Sequence, residues 1–180
     1  QMTRQYGNRF NRHYNDDYFP EPIAFTFSDK LVKVPGLTGK GKMSKSGGEG
    51  DAIFLADESA VTTKKIMRAV TDEGPKVPNQ TKPEVVQNLF DLMALVSQSD
   101  VIEHFDTAYN NCSIRYGDLK KQLAADMDVF LTPIREHIKE SLSNEAVLGK
   151  AAKIGAEKAR ESASKTLKEV REIIGFRKFY

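Results

Sequence analysis

Residues 39–46 carry the side chains of this sequence that are best suited to bind phosphate. The segment reads GKGKMSKS, and two more glycines follow it. Lys42 and Lys45 are three residues apart, so two ammonium groups in one loop could neutralise a triphosphate and the charge that grows on departing pyrophosphate. The hydroxyls of Ser44 and Ser46 can donate hydrogen bonds to the same oxygens. Phosphate chemistry is therefore the first hypothesis for this loop.

Residues 36–42 also have the glycine and lysine spacing of a P-loop. A P-loop places Ser or Thr directly after its lysine to bind magnesium, and it continues as a helix that faces the phosphates. Met43 occupies that position, and Ser46 is followed by glycines instead of a helix-forming sequence. The sequence therefore argues against a P-loop. The composition alone would favour a solvated linker, because lysine, serine and glycine are common in surface loops.

The composition predicts a folded protein in a reducing compartment. The 180 residues carry a formal net charge of +2 and include one cysteine, Cys112, which excludes an internal disulfide framework. The first residues are polar, unlike a signal peptide, and no later stretch has the apolar length of a membrane span. The three histidines are scattered without partners at ligand spacing, so no metal site is predicted. We expect a cytoplasmic protein without membrane association.

Apolar periodicity divides the chain into a mixed segment and a helical remainder. A first helix is predicted over residues 2–14. Between residues 20 and 55, prolines and glycines break any helix, and short strands are predicted at 23–27, 31–34 and 52–55. The remaining helices are predicted to start at Asp57 or Ser59, at Thr81 or Lys82, at Ser99 with Glu103 as an offset capping box, at Gly117, and at Ser143. In the helix from Gly117, Pro133 is expected to cause a bend near Val129 to Leu131 without ending the helix. The last helix is predicted to run to Ile174 before Gly175.

Residues 42–46, KMSKS, are identical to the second signature of the class I aminoacyl-tRNA synthetases, which this sequence therefore resembles. The segments VPGLTGKGKMSKS, AIFLADESAVTTKKIMRAVTDEGP, NLFDLMALVS and YGDLKKQLAADMDVFLTPIREH resemble, in this order, the carboxy-terminal half of the tryptophanyl-tRNA synthetases. The opening MTRQYGNRFN is similar to the helix that follows the specificity-determining segment of that family. The most family-specific piece is AVTD, residues 69–72, because KMSKS is shared by many class I enzymes.

The resemblance implies a fold and a domain division. The expected fold is mostly α: residues 1–72 would be the C-terminal remnant of a Rossmann-type α/β catalytic domain, and residues 73–180 an α-helical bundle that binds the anticodon. The family's HIGH-type motif and amino-acid pocket are missing from the sequence. The resemblance therefore implies a fragment that is inactive by itself, taken from an enzyme that is a homodimer when complete.

The resemblance also implies the reaction and the residues that serve it. The family uses ATP and Mg²⁺ to activate tryptophan and then transfers it to its tRNA. Lys42 and Lys45 would engage the triphosphate, with Lys45 stabilising the transition state. Met43 and its backbone would help to hold the nucleotide. The other ATP-binding candidates are two phosphate or loop-stabilising donors, Ser44 and Ser46, and the adenine-contacting turn at Val34 and Gly36.

Binding of tRNA is expected in the helical part. Single-stranded anticodon bases can stack on aromatic or arginine planes and be read at their edges. The loop between two predicted helices offers Asn110, Asn111, Arg115 and Tyr116 for this purpose, although ordinary loop capping explains them equally well. Lys64, Lys65 and Arg68 could either contact tRNA or form a solvated helix face.

Two other interpretations remain open at the level of sequence. A tyrosyl-tRNA synthetase shares the fold and the loop signature, but AVTD and the uninterrupted match through the helices argue against it. A non-catalytic helical RNA-binding or interaction module could have kept KMSKS as a relic.

Overall fold

The computed structural model describes residues 1–25, 33–39, 41–48 and 50–176. It divides the chain into two compact units, one formed by residues 1–31 and 144–180 and the other by residues 32–143. The expectation of a mostly α fold is confirmed. The helices in the described residues are α1 (Met2–Tyr14), α2 (Ser59–Met67), α3 (Glu84–Val96), α4 (Ser99–Asn110), α5 (Tyr116–Ser143) and α6 (Glu145–Ile173).

The predicted strand at 52–55 is wrong, because these residues have no partner strand. Across the described ranges the backbone pairing is limited to one isolated bridge between Pro35 and Lys42. The amide of Ile53 instead donates to the sulfur of Met43 at 3.3 Å. Residues 23–25 and 33–34 are also outside any strand. The rest of those two predictions, residues 26–27 and 31–32, lies outside the described residues.

One hydrophobic core holds the unit of residues 32–143 together. The apolar positions of α3 that recur at helical spacing are buried, and they pack with buried residues of α2, α4 and α5. Fully buried members include Ile66, Met93, Tyr109 and Leu123. Leu37, which precedes the KMSKS segment, belongs to the same core. The core thus contains residues from both sides of position 72, and the domain boundary proposed there stays a prediction.

The long helix α5 runs without a break through Pro133. Proline cannot donate to the preceding turn and usually bends a helix there. The hydroxyl of Thr132, beside Pro133, donates to the carbonyl oxygen of Asp128 at 2.7 Å. The expectation that this helix would continue past its proline is confirmed, and the bend expected near Val129 to Leu131 stays a prediction.

None of the described helices is long and apolar enough to cross a membrane.

Helix ends in the unit of residues 1–31 and 144–180 are set by asparagines. Asn15 ends α1 in the left-handed conformation, with φ 49°. The side chain of Asn144, and not that of Ser143 as predicted, caps α6 by accepting from the amide of Val147 at 3.2 Å. Gly175, with φ 80°, follows the end of α6 as expected. Tyr18 connects the two ends of the chain in this unit by donating to Glu169 at 2.7 Å.

The predicted capping box at the start of α4 is wrong. Gln98 is the N-cap, and no side chain caps this helix end. Ser99 is already the first helical residue, so its hydroxyl is one position too late to accept from the orphan amides.

Candidate functional site

A narrow antiparallel pairing leads into the KMSKS segment. The amide of Met43 donates to the carbonyl oxygen of Val34 at 2.8 Å, and the amide of Gly36 donates to that of Gly41 at 3.1 Å. Between these two bonds Lys42 pairs with Pro35. The carbonyl oxygen of Val34 and the amide of Gly36 are therefore already hydrogen-bonded within the chain, and the pairing fixes the backbone of Lys42 at the start of the signature.

The rest of the signature forms one tight 3-10 turn, Lys45–Gly47. Ser44 precedes it with an extended backbone, and its hydroxyl oxygen accepts from the amide of Ser46 at 3.2 Å. The two serine hydroxyls are 2.9 Å apart. The serines of KMSKS thus hold the turn that carries Lys45, in addition to being potential phosphate donors.

The two lysines of the signature are exposed, and their ammonium groups form no ion pair with the described carboxylates. A shallow groove of about 250 Å³ lies beside the turn. It is lined by Met43, Ser44 and Lys45 and by residues 52–55. The structure thus places three of the predicted ATP-binding or catalytic residues at one groove. Lys42, Val34 and Gly36 lie in the adjoining pairing, and their roles stay predictions.

A buried carboxylate that sequence reasoning missed, Asp51, lies behind the turn. It is only 3 % exposed. Its Oδ1 accepts from the amide of Thr38 at 3.1 Å and from the Thr38 hydroxyl at 2.5 Å. Its backbone carbonyl oxygen accepts from Leu37, and its amide donates to Gly48. Asp51 is therefore hydrogen-bonded to residues that precede the KMSKS segment and to one that follows it.

Lys65 fixes the segment that follows the loop against α2. Its ammonium donates to the carbonyl oxygen of Ala52 at 2.9 Å and pairs with Asp57 at 2.6 Å. It also lies 4.7 Å from the ring centroid of Phe54. The solvated-face alternative for Lys65 is therefore wrong, because its side chain is only 13% exposed, whereas the suggested tRNA contact stays a prediction. Lys64 and Arg68 are exposed.

The AVTD segment, residues 69–72, connects the loop region to α5. The amide of Val70 donates to the carbonyl oxygen of Leu37 at 3.2 Å. The ammonium of Lys120, on α5, donates to the carbonyl oxygen of Ala69 at 2.7 Å, and burial lowers its pKa. The hydroxyl of Tyr116 donates to Asp72 at 2.5 Å. Burial, followed by this hydrogen bond, raises the pKa of Tyr116.

The residues suggested for tRNA binding divide into two pairs. Asn110 donates to Asp106 at 3.0 Å, and Tyr116 donates to Asp72, so both side chains already have partners. Asn111 and Arg115 are exposed and available. A tRNA role for these four residues stays a prediction.

Comparisons with known proteins give a consistent result. The sequence model of the family described as "tRNA synthetases class I (W and Y)" matches residues 1–132. The chain is 58% identical over 177 residues to a tryptophan–tRNA ligase of Porphyromonas gingivalis, covering 98% of this chain and 54% of that protein. A ligase of the same name from Clostridium longisporum is 35% identical over 182 residues, with 99% and 52% covered.

Solved structures agree on the fold. A tryptophanyl-tRNA synthetase of Campylobacter jejuni, complexed with ADP and tryptophan, matches with a TM-score of 0.72 and 24% identity over 97% of this chain and 53% of that chain. The Mycoplasma pneumoniae structure of the same name matches with a TM-score of 0.70 and 24% identity over 98% and 54%. The chain thus spans about half the length of the relatives it matches.

Proposed function

This chain belongs to the class I tRNA synthetases of the tryptophan and tyrosine group, as its sequence resemblance predicted. We therefore propose that it is part of a tryptophan–tRNA ligase. The choice of tryptophan rests on the 58% identity to a ligase of that name across 98% of the chain. The observation that supports a catalytic role is the KMSKS turn, which presents Lys45 at the rim of a groove.

The proposed reaction has two steps. In the first, a carboxylate oxygen of tryptophan attacks the α-phosphorus of ATP, and the bond to the bridging oxygen breaks. Tryptophanyl-adenylate forms and pyrophosphate leaves with the bond electrons. In the second, a hydroxyl of the terminal adenosine of the tRNA takes the aminoacyl group, loses its proton and releases AMP. Catalysis of this kind depends mainly on positioning and on charge stabilisation.

Lys45 stabilises the charge that develops on the leaving pyrophosphate. Its ammonium is exposed and unpaired with any described carboxylate, so it is free to approach phosphate oxygens. Lys42 supplies a second positive charge from the start of the signature. Removing one such donor from an enzyme commonly slows the reaction by about 10²- to 10³-fold.

Nucleotide contacts come from the residues around this turn. Met43 provides apolar contact in the groove, and Ser44 and Ser46 offer hydroxyls while they stabilise the turn. Val34 and Gly36 would contact adenine from the paired segment. Mg²⁺ would arrive with ATP and offset phosphate charge; within the described ranges no three histidine, cysteine or acidic side chains are placed to hold an ion.

The remaining partners follow from the same proposal. Transfer RNA would contact residues 73–180, with Asn110, Asn111, Arg115 and Tyr116 as the candidates. Residues 1–72 would belong to the catalytic domain. The complete enzyme would act as a cytoplasmic homodimer, and the isolated chain would be inactive.

ATP–pyrophosphate exchange by the complete enzyme tests the proposal, with tryptophan or tyrosine as the sole amino acid. Exchange with tryptophan alone is expected, and Lys45→Ala should slow it by about 10²- to 10³-fold. Lys153→Ala, which removes an exposed lysine of α6, serves as the matched control and should keep wild-type exchange. Exchange with tyrosine alone would instead favour a tyrosyl enzyme. A folded enzyme without exchange would leave an RNA-binding or interaction module.

A further inference from the structure

Asp51 is a buried carboxylate to which the proposed reaction assigns no role. Burying a charged carboxylate is costly unless hydrogen-bond donors surround it. Thr38 supplies two such donors, its amide and its hydroxyl, to Oδ1. Because Thr38 lies between the two paired segments at 34–36 and 41–43, these bonds attach Asp51 to the start of the KMSKS segment.

Two glycines show how closely the Asp51 carboxylate approaches the surrounding backbone. A Cβ atom added to Gly36 would clash with Asp51 Oδ1, and one added to Gly47 would lie 2.6 Å from Oδ2. Real Cβ atoms essentially never come that near. Gly36 belongs to the paired segment and Gly47 ends the KMSKS turn. The carboxylate therefore fits between these two pieces only because both positions lack a side chain.

The backbone of Asp51 adds two bonds to the same arrangement. Its carbonyl oxygen accepts from Leu37 at 3.1 Å, and its amide donates to Gly48 at 3.2 Å. Leu37 is anchored in the hydrophobic core, whereas Gly48 directly follows the KMSKS turn. One residue thus connects the turn that carries Lys45 to the rigid part of its unit.

We infer that Asp51 is a positioning residue that fixes the KMSKS turn and thereby the place of Lys45. This inference rests on the proposed function, since the value of fixing Lys45 lies in charge stabilisation during adenylate formation. A misplacement of about 1 Å can slow an enzyme by about 10²-fold. Asp51 itself touches neither substrate nor leaving group and acts through the turn.

The test compares ATP–pyrophosphate exchange by the complete enzyme carrying Asp51→Ala or Asp51→Asn. Asp51→Ala should lower kcat by about 10- to 100-fold and leave the KM for tryptophan unchanged. Asp51→Asn keeps the size of the side chain and an oxygen acceptor for Thr38, so it should recover most of kcat. Asp91→Ala, which removes an exposed carboxylate of α3, is the matched control and should behave as wild type.

A wild-type kcat in Asp51→Ala would overturn the inference. A loss that Asn does not relieve, accompanied by a higher KM for tryptophan, would also overturn it, because it would indicate general structural damage. Amide hydrogen exchange at Leu37, Thr38 and Gly47, measured without substrates, separates this inference from the proposed function. If the wild-type enzyme showed no pyrophosphate exchange, faster amide exchange in Asp51→Ala would still support the positioning role, and unchanged amide exchange would refute it.

Discussion

The helical part of residues 32–143 and its KMSKS region are held by different forces. The helices α2–α5 share fully buried apolar side chains such as Leu89, Met93 and Leu123. In the described residues between 34 and 57, Leu37 joins this core, and directional polar contacts, above all those of Asp51 and Lys65, add to it. Apolar packing raises the free energy of unfolding but does not depend on the direction of the contacts. Hydrogen bonds, in contrast, fix atoms at defined distances. Stability and catalytic geometry should therefore be separable by mutation.

The largest effect on stability is expected from Leu123→Ala. Leu123 is 0 % exposed, and truncating a buried leucine costs about 2–5 kcal/mol through lost burial and the cavity left behind. Chemical denaturation should show this loss in the free energy of unfolding. Leu142, on the same helix but 69 % exposed, provides the matched control, and Leu142→Ala should change stability by less than about 0.5 kcal/mol. Similar losses in both variants would contradict the assigned core.

Lys45→Ala should show the opposite behaviour. The exposed ammonium contributes no packing, so the free energy of unfolding should stay within about 0.5 kcal/mol of wild type. Pyrophosphate exchange by the complete enzyme should nevertheless slow by about 10²- to 10³-fold. Denaturation and exchange measured on one preparation test this separation. A large loss of stability in Lys45→Ala would break the distinction between the two regions.

Lys65→Met should affect both properties to an intermediate degree. The substitution keeps the apolar stem but removes the donor to Ala52 and leaves Asp57, 15 % exposed, without its ion partner. We expect a loss of about 1–3 kcal/mol in the free energy of unfolding, together with slower exchange. Lys64→Met, at the exposed neighbouring position, is the control for stability. If Lys65→Met and Lys64→Met had the same free energy of unfolding, the contacts of Lys65 would not stabilise the fold.

The smallest effect is expected from Tyr116→Phe, which removes only the hydroxyl bonded to Asp72. Because Asp72 is exposed, the loss at pH 7 should be about 1 kcal/mol. The raised pKa of Tyr116 also predicts a pH effect. Above the ordinary tyrosine pKa of about 10, the unfolded state loses this proton first, so wild-type stability should fall with rising pH.

Tyr116→Phe should lack that part of the alkaline decline. Urea denaturation of both proteins between pH 7 and 11 would therefore show their stabilities converging as pH rises. A constant difference across this range would mean that the hydroxyl is not protected by burial and by Asp72.

Sequence reasoning located the helices well but not their caps or the contacts of the loop. Periodicity is local, so α1, α3 and α5 could be read from apolar spacing. Ser143 and Asn144 are adjacent and both suit an N-cap, so only the observed bond of Asn144 decides between them. The strand predicted at 52–55 failed because pairing requires a partner that the segment itself does not specify.

The loop's supporting residues were missed for a related reason. Asp51 contacts Thr38 across 13 positions, and Lys65 reaches Ala52 across another 13. In sequence Asp51 is one acid after a glycine-rich stretch, and Lys65 is one of two neighbouring lysines. Only the fold shows which lysine turns inward. The sequence offered no local signal for Asp51, because the close approach of its carboxylate to Gly36 and Gly47 is visible only in the structure.

The AVTD segment gives this unit a mechanical junction. Within residues 69–72, the amide of Val70 donates to Leu37, and the segment accepts hydrogen bonds from Lys120 and Tyr116. The first leads to the segment that bears the KMSKS turn, and the other two lead to α5. A displacement of α5 that keeps these bonds would therefore also displace Leu37 and the paired segment next to it. Because Leu37 also donates to Asp51, and Asp51 donates to Gly48, such a displacement would reach the residue that follows the KMSKS turn.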